Sequence, residues 1–404
     1  MLHWLTVFLL RCLLVLAGGA VQAQGFAWDV QGLPTNSLGE QLQVLREYGE
    51  RWTVEDARQR FVQANPPPPR SEVLSFGIGA APVWLRLPLH NPDRTPLRMH
   101  LLLGTIWMDH ADIYLLQGDT LQQHFHLGDE SAYAYGVVPG FGFGWALDLP
   151  PQHSTLLVRV QSRDPLVLPL RLLDAVALAE QRDTVQYGYE LLFGALFALT
   201  LYNLALFAVA RHPLHARYAL YIASMLLLCI AYTGKGLAYG WPQSPGLQRY
   251  AILGAMVLFN AAGMHFALHF LHFPRLFPAL ERAMTRTMLG ALGVLLGLAL
   301  LDRHLAAVWW AFGVFLVSTL ALFAMGVWAL WARQPYGRLF FVAVGVSAAG
   351  AMTTWMAVVG VIPYFSASFH AMEAGFLVDA VVLAYALGLR VIAERRDPAR
   401  LRRA

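Results

Sequence analysis

An aspartate inside an apolar stretch is the first residue of this sequence whose chemistry needs an explanation. Asp379 lies about ten residues into the last apolar segment, 369–389, and is therefore expected near the middle of a membrane, where an ionisable group is costly and by default marks a polar cavity or a switch. Lys235 and Glu373 stand near the outer ends of their own segments and could pair. We predict that these three residues form an intramembrane polar relay. The simpler interpretations are a structural hydrogen bond at Asp379 and a solvated rim at the other two.

Two histidines offer a spacing that can hold a metal ion. His265 and His269 are four residues apart on one face of a predicted helix, and His272 follows one turn later. The pair sits near the predicted cytoplasmic end, with no glutamate between its members and no evident third ligand, so we predict polar packing residues, no metal and no cofactor. The enzymatic alternative is a seven-span zinc-dependent hydrolase that uses these histidines and Asp379. Such enzymes carry a histidine pair in the last span, where this chain has Glu373 and Asp379.

The N-terminal half carries aromatic residues next to polar ones, a combination that suits sugars and other polar small molecules. Aromatic residues in β-sandwiches also pack in cores, so packing is the competing interpretation. We predict ligand contacts at six positions: Trp84, Arg86, Asp109, His110, Tyr114 and Trp145.

The elements that position these residues fall into two parts, and the C-terminal part consists of apolar segments. A helix needs about 20 apolar residues to cross the hydrocarbon layer. Seven segments between 187 and 391 approach or exceed this length, although 287–301 is short enough to be a buried or re-entrant helix. The segments are 191–210, 218–237, 250–271, 287–301, 305–331, 339–362 and 369–389.

The distribution of arginine predicts the orientation. The breaks 211–217, 272–286 and 332–338 and the tail 392–404 hold many arginines, whereas the alternate breaks hold only Arg303, with Arg249 at a segment edge. The positive-inside rule places the arginine-rich breaks in the cytoplasm. This assignment requires seven spans, an N-terminal domain outside the cytoplasm and a cytoplasmic C-terminus.

The N-terminal part predicts an exported β domain. Residues 1–23 are typical of a secretory signal peptide, although Arg11 interrupts the apolar run and leaves an uncleaved anchor open. Residues 24–173 alternate like short strands between turn residues and predict an all-β, jelly-roll-like sandwich, with one helix over 54–64. Residues 174–186 predict a helical or hinged linker. Removal of 1–23 would leave Cys229, inside a span, as the only cysteine, so we expect no disulfide in the sandwich.

Composition agrees with this division. Of 404 residues, 57% are hydrophobic and only 13% are charged, which is too apolar for a soluble protein. The net charge of +4 comes largely from arginines beside spans, so we interpret it as a topology signal and expect no nucleic-acid partner. The lipid bilayer is the expected partner, and the sequence leaves homo-oligomers open. Small residues four apart, at Gly194/Ala198, Gly293/Gly297 and Gly345/Ala349, predict close helix contacts.

Both parts resemble the bacterial seven-transmembrane receptors with diverse intracellular signalling modules (7TMR-DISM). The order and spacing of several short motifs carry the resemblance. In the N-terminal part these are VWLRL at 83–87, HN at 90–91, WMDHADIY at 107–114, LGD at 127–129, 156–162 and LPL at 168–170. In the C-terminal part they are LYNL at 201–204, RH at 211–212, Tyr218 and Tyr221, Gly236 through WP at 241–242, FL at 270–271, and 373–390.

The resemblance implies a jelly-roll sensor, similar to carbohydrate-binding modules, joined to a signalling bundle. The family pattern usually has glutamate where Asp379 stands. Members usually continue past the last span into a diguanylate cyclase, histidine kinase or phosphatase module, whereas about thirteen residues follow Val391 here. We therefore expect a non-enzymatic receptor for a periplasmic small molecule, with carbohydrate-like compounds as first candidates, that signals to a separate partner. A co-receptor or scaffold for longer relatives, and a truncated relative, are the alternatives.

Overall fold

A computed structural model describes residues 27–129 and 136–396, so the predicted signal peptide 1–23 and the end of the basic tail lie outside the described residues. The N-terminal part is a β domain, as predicted. Its strands are β1 (Trp28–Asp29), β2 (Gln43–Arg46), β3 (Leu74–Ile78), β4 (Val83–Asn91), β5 (Leu97–Leu103), β6 (His110–Gln117), β7 (Thr120–Leu127), β8 (Val137–Val138), β9 (Gly142–Leu149), β10 (Gln152–Gln161), β11 (Pro165–Leu168) and β12 (Leu170–Leu173).

Two sheets form a sandwich. One has the order β1-β4-β10-β6-β7 with β2 also paired to β4, the other has the order β12-β5-β9-β8, and β3 pairs with β11 separately. Alternate residues of the long strands face inward, as the two-residue period of a strand requires. Leu85, Ile113 and Val158 of the first sheet meet Leu101 and Phe143 of the second in one fully buried core.

A helix covers part of the outer face of the larger sheet. Helix α1 (Val54–Ala64) begins with a capping box in which Thr53 and Asp56 satisfy each other's backbone N–H groups. Its Ala57 and Phe61 pack onto Trp84 and Leu157 in a second, smaller core. Trp84 is therefore buried between sheet and helix.

Over residues 136–396 the structure has seven helices long and apolar enough to span a membrane, as predicted. They are α2 (Ala175–Ala210), α3 (Pro213–Tyr232), α4 (Pro245–Phe270), α5 (Pro278–Leu300), α6 (His304–Trp331), α7 (Gly337–Val358) and α8 (Ser366–Arg396), with a π-helical turn Gly236–Gly240 after α3 and a single turn Phe273–Leu276 before α5. The short apolar segment 287–301 forms the C-terminal part of the 23-residue α5 and the residue that caps it. The helix begins earlier because Glu281, Arg282 and Arg286 are compatible with helix outside the hydrocarbon layer.

Helix α2 joins the two parts without a break. Its 36 residues are about 54 Å long at 1.5 Å per residue, which exceeds the thickness of a hydrocarbon core. Asp174 caps its first turn by accepting a hydrogen bond from the Ala177 N–H. Gln181 then donates to the Thr35 carbonyl and accepts from Arg171. Residues 174–186 are thus a helical extension of the first span that packs on the sandwich.

The sandwich sits directly on one end of the bundle. Ile78 and Trp107 pack against the core of the bundle, and the Gly140 N–H donates to the Thr233 carbonyl at the end of α3. The arginine-rich breaks at 211–217, 272–286 and 332–338 lie at the opposite end, because they connect the other ends of the helices. We refer to these two ends as the sandwich end and the far end.

Close helix contacts occur at other positions than those predicted. Nothing lies within 4 Å of a Cβ built at Gly194, Gly293, Gly297 or Gly345, so the predicted small-residue pairs were wrong. The close approach is between α7 and α8, where a Cβ at Gly350 would meet the Ala371 carbonyl oxygen at 2.3 Å. Small residues permit close approach only on a face that meets another helix.

Candidate functional site

The predicted ligand residues of the sandwich do not converge on one site. Trp84 is fully buried and its indole N–H donates to Glu47 at 2.8 Å. Tyr114 stacks between the Trp84 ring, 6.0 Å away between centroids, and the His124 ring, 4.4 Å away. These two aromatic residues therefore belong to the outer face of the larger sheet, and Trp84 is part of the small core between that face and α1.

The other four predicted residues are dispersed. Asp109 is 2% exposed and accepts hydrogen bonds from the backbone and side chain of Arg163. The His110 ring lies 5.5 Å from that of His126, and Trp145 packs on Phe125. The last, Arg86, is half-buried and lines a groove of about 460 Å³ between α1 and the sheet.

A buried polar pair connects the sandwich to the bundle. The Nε2 atom of His304, the first residue of α6, lies 2.7 Å from Oδ2 of Asp164, the residue before β11. The two side chains are at most 8% exposed. Burial raises the pKa of Asp164 above its ordinary value, while the hydrogen bond and charge of His304 oppose that rise. A buried pair of this kind fixes the docking geometry, because separating its members leaves unpaired polar groups.

Glu373 is bound by tyrosines from two other helices. Tyr189 of α2 donates to Oε1 of Glu373 at 3.0 Å, Tyr232 of α3 donates to the same oxygen, and His370 contacts Oε2. The sequence left open a pairing of Lys235 with Glu373, and among the described contacts these two side chains have other partners. The Lys235 ammonium instead lies 5.0 Å from the centre of the Phe193 ring, where a cation is attracted by the ring face.

Asp379 is buried in the middle of the bundle, 1% exposed. Tyr221 of α3 donates to its Oδ2 atom at 2.7 Å. No donor of the described chain reaches Oδ1. Asp379 lines a cavity of about 30 Å³ together with Asn260 and Ser347. That volume exceeds the roughly 10–15 Å³ that a water molecule needs, so the site is polar and large enough for water.

Helix α8, which carries Asp379, makes further polar contacts as far as the far end. Tyr218 donates to the Ala380 carbonyl, and Arg390 donates to the Phe270 carbonyl and to Glu394. His212 Nε2 lies 2.8 Å from Glu394. The Arg390 guanidinium also lies 2.8 Å from His272 Nε2.

His272 can accept that hydrogen bond because it is neutral. Burial and the neighbouring Arg390 lower the pKa of His272 to about 4. Its imidazole therefore remains an acceptor for Arg390 at physiological pH.

Within the described part of the chain, two groups of side chains have atoms close enough to share a metal ion, within 4.8 Å of one another. One is His265, His269 and Glu281, and the other is Asp109, Asp164 and His304. In the first group Arg217 donates to His265, and a cation at that position opposes metal binding. In the second, Asp164 and His304 bind each other and Asp109 binds Arg163. Asp379 belongs to neither group, so the structure does not bring together the residues on which the alternative hydrolase interpretation rested.

Sequence reasoning missed the connecting residues. Asp164 and His304 are 140 positions apart, and no local pattern links them. A signal did exist for the tyrosines, because Tyr218, Tyr221 and Tyr232 recur at helical spacing on the buried face of α3. Glu281, which approaches the histidine pair, carries no sequence signal of that contact.

Comparison with known families agrees with this architecture. A family described as 7TM diverse intracellular signalling matches residues 186–390, and one described as 7TMR-DISM extracellular 2 matches residues 39–174. The two matches cover the helical bundle and most of the sandwich. No curated protein matches the chain.

Proposed function

The chain belongs to the 7TMR-DISM family of membrane receptors, and from this membership we propose that it is a receptor of the bacterial inner membrane. Its sandwich lies in the periplasm and binds a small molecule, with carbohydrate-like compounds as first candidates. The bundle passes the bound state to a separate cytoplasmic or membrane partner. The orientation is supported by the arginines of the far end, since basic loops favour the cytoplasmic side.

The groove beside α1 supports a polar ligand. Arg86, Gln59 and Gln63 supply hydrogen-bond donors along it, and Leu157 supplies an apolar wall. A concave surface with a few polar groups over an apolar floor is typical of small-molecule sites. Of the six residues predicted from sequence, Arg86 is therefore the one we assign to ligand binding.

The proposed relay is supported by the series of polar contacts along α8. Glu373, Asp379, Ala380 and Arg390 each hold a partner on another helix or at its end. From Glu373 to Glu394 this helix rises about 32 Å at 1.5 Å per residue, so the contacts span a membrane. A shift or rotation of α8 must exchange these hydrogen bonds together, which suits a two-state element.

The proposal predicts that a ligand of the sandwich changes the far end. Full-length protein in lipid nanodiscs is screened by thermal shift against monosaccharides, disaccharides and cell-wall fragments. Compounds that bind are then added to protein labelled with bimane at Ala393→Cys in a background that carries both Cys12→Ala and Cys229→Ala. Ala393 is exposed near the end of α8. We expect a change in bimane emission, because the relay ends beside this position.

Asp379→Leu removes the hydrogen bond to Tyr221 and should abolish the emission change without abolishing binding. Val378→Leu, at the neighbouring bilayer-exposed position, is the matched control and should respond like the parent. A response to ligand that is equal in Asp379→Leu and in the parent would show that Asp379 is a packing residue and that the relay does not use it.

A further inference from the structure

A cavity of about 110 Å³ lies where the sandwich meets the bundle. Most of its wall is apolar and includes Leu253, Met256 and Phe312 from the helices and Trp107 from the sandwich. An apolar cavity of roughly 150 Å³ in another protein stays dry and binds benzene, so this volume has the scale of a small ring or chain. It is separate from the groove beside α1.

The wall includes two side chains whose N–H donors have no acceptor among the described residues. One is the side-chain amide of Gln248, which is 1% exposed, and the other is the indole of Trp355. The orientation of the Gln248 amide is fixed, because its oxygen accepts a hydrogen bond from the Trp241 indole at 2.8 Å. Its nitrogen must therefore be the free end. Buried donors without acceptors are costly and rare, so an acceptor bound in the cavity that these two residues line would remove that cost.

Charges in the wall indicate the class of acceptor. The carboxylates of Asp129 and Asp164 and the guanidinium of Arg249 also line the cavity, so a charged group of either sign would meet a like charge in an apolar surrounding. A cationic group would supply no acceptor to Gln248 and Trp355. A hydroxyl or carbonyl group satisfies both conditions, since it accepts hydrogen bonds and carries no charge.

We propose that this cavity binds a small uncharged amphiphile of roughly six to nine non-hydrogen atoms, an apolar ring or chain with one hydroxyl or carbonyl group accepting from Gln248 and Trp355. Because its wall comes from both the sandwich and the bundle, such a ligand would contact both at once. This inference goes beyond the proposed receptor function, since binding here is measured directly and does not depend on the relay.

The test uses 4-fluorobenzyl alcohol as the probe, with 4-fluorobenzoate and 4-fluorobenzylamine as charged analogues of the same ring. Binding to full-length protein in nanodiscs at pH 7 is followed by ¹⁹F NMR and corrected for empty nanodiscs. We expect saturable binding of the alcohol and about tenfold weaker binding of both charged analogues. Loss of one hydrogen bond in Gln248→Leu or in Trp355→Phe should also weaken binding of the alcohol about tenfold.

Gln243→Leu is the matched control, because Gln243 is exposed in the loop before α4, and it should bind within about twofold of the parent. Trp355→Phe keeps the ring in the wall, so it tests the donor even where Gln248→Leu disturbs the fold. Non-saturable uptake equal for the three probes, or unchanged affinity in Trp355→Phe, would overturn the proposal. That result would leave the far-end response to a sandwich ligand untouched, so the two proposals fail separately.

Discussion

Several buried carboxylates of this molecule accept hydrogen bonds from specific donors. Glu373 and Asp379 accept from tyrosine hydroxyls within the bundle, and Glu47 accepts from Trp84 and Arg159 within the sandwich. An ionisable group in a medium of low polarity is costly unless it is hydrogen-bonded. These pairs therefore fix which strands and helices can be neighbours.

The contribution of such a pair to stability can be tested at Glu47 by changing the pH. Glu47 is 6% exposed and lies 2.7 Å from Arg159. Burial acts to raise the pKa of Glu47, but hydrogen bonds from Arg159 and Trp84 outweigh it, so the pKa is below its ordinary value of 4.5. A lowered pKa stabilises the fold above the unfolded pKa, and that stability is lost as pH falls through the folded pKa.

Glu47→Gln should therefore destabilise the sandwich by about 3 kcal/mol at pH 7, because it leaves Arg159 buried without its counter-charge. The difference from the parent should shrink as pH falls below about 4.5. Thermal unfolding followed by tryptophan fluorescence measures both effects. Glu40→Gln, at an exposed position, is the control and should melt like the parent. A loss of stability in Glu47→Gln that is the same at pH 7 and pH 3.5 would contradict the ion-pair explanation.

At the scale of elements, the sandwich should be an independent folding unit. Its main core is formed by residues from Val30 to Leu172, without a contribution from the helices. A polypeptide of residues 24–173 is therefore expected to be soluble and to unfold cooperatively, with a far-UV circular dichroism spectrum dominated by β structure. A helix-dominated spectrum, or the absence of a cooperative transition, would show that the sandwich depends on the bundle.

The number of membrane spans could be predicted from sequence, because the thickness of the hydrocarbon core sets the length of each apolar segment independently of the others. The ends of the helices could not be predicted in the same way, because charged residues such as Glu281 and Arg282 continue α5 beyond the apolar segment. The alternation of residues within strands likewise predicted a sandwich. The pairing of strands distant in the chain, such as β1 with β4, has no local signal.

The site was less predictable than the fold. Asp379 stood out because its charge conflicts with its surroundings, and the structure shows it buried against Tyr221. Trp84 was predicted to contact ligand, but α1 covers it, and no local pattern shows where a helix will dock. Asp164 and His304 meet only after two domains assemble. Contacts of this kind depend on tertiary geometry that a single sequence does not contain.

In the proposed orientation of the whole molecule, the far end is cytoplasmic. A reporter active only in the cytoplasm should be active when fused after Arg403 and silent when inserted within 243–246, in the loop on the sandwich side. This expectation follows from the arginines of the far-end breaks. Activity at 243–246, or silence after Arg403, would contradict the orientation.

Two rigid connections join the sandwich to the bundle. Helix α2 runs from the sandwich into the first span without interruption, and Asp164 holds His304 at the start of α6. A change in the sandwich can therefore move the bundle without crossing a flexible linker. We propose that such a change reaches the far end through α8.

Hydrogen–deuterium exchange of full-length protein in nanodiscs tests this claim most directly. His304→Gln weakens the contact between sandwich and bundle, and His153→Gln, at an exposed position of the sandwich, is the matched control. We expect His304→Gln to alter exchange both around the interface and at residues 385–394 of α8, with His153→Gln altering neither. Altered exchange confined to the sandwich and the start of α6, with 385–394 unchanged, would contradict the relay.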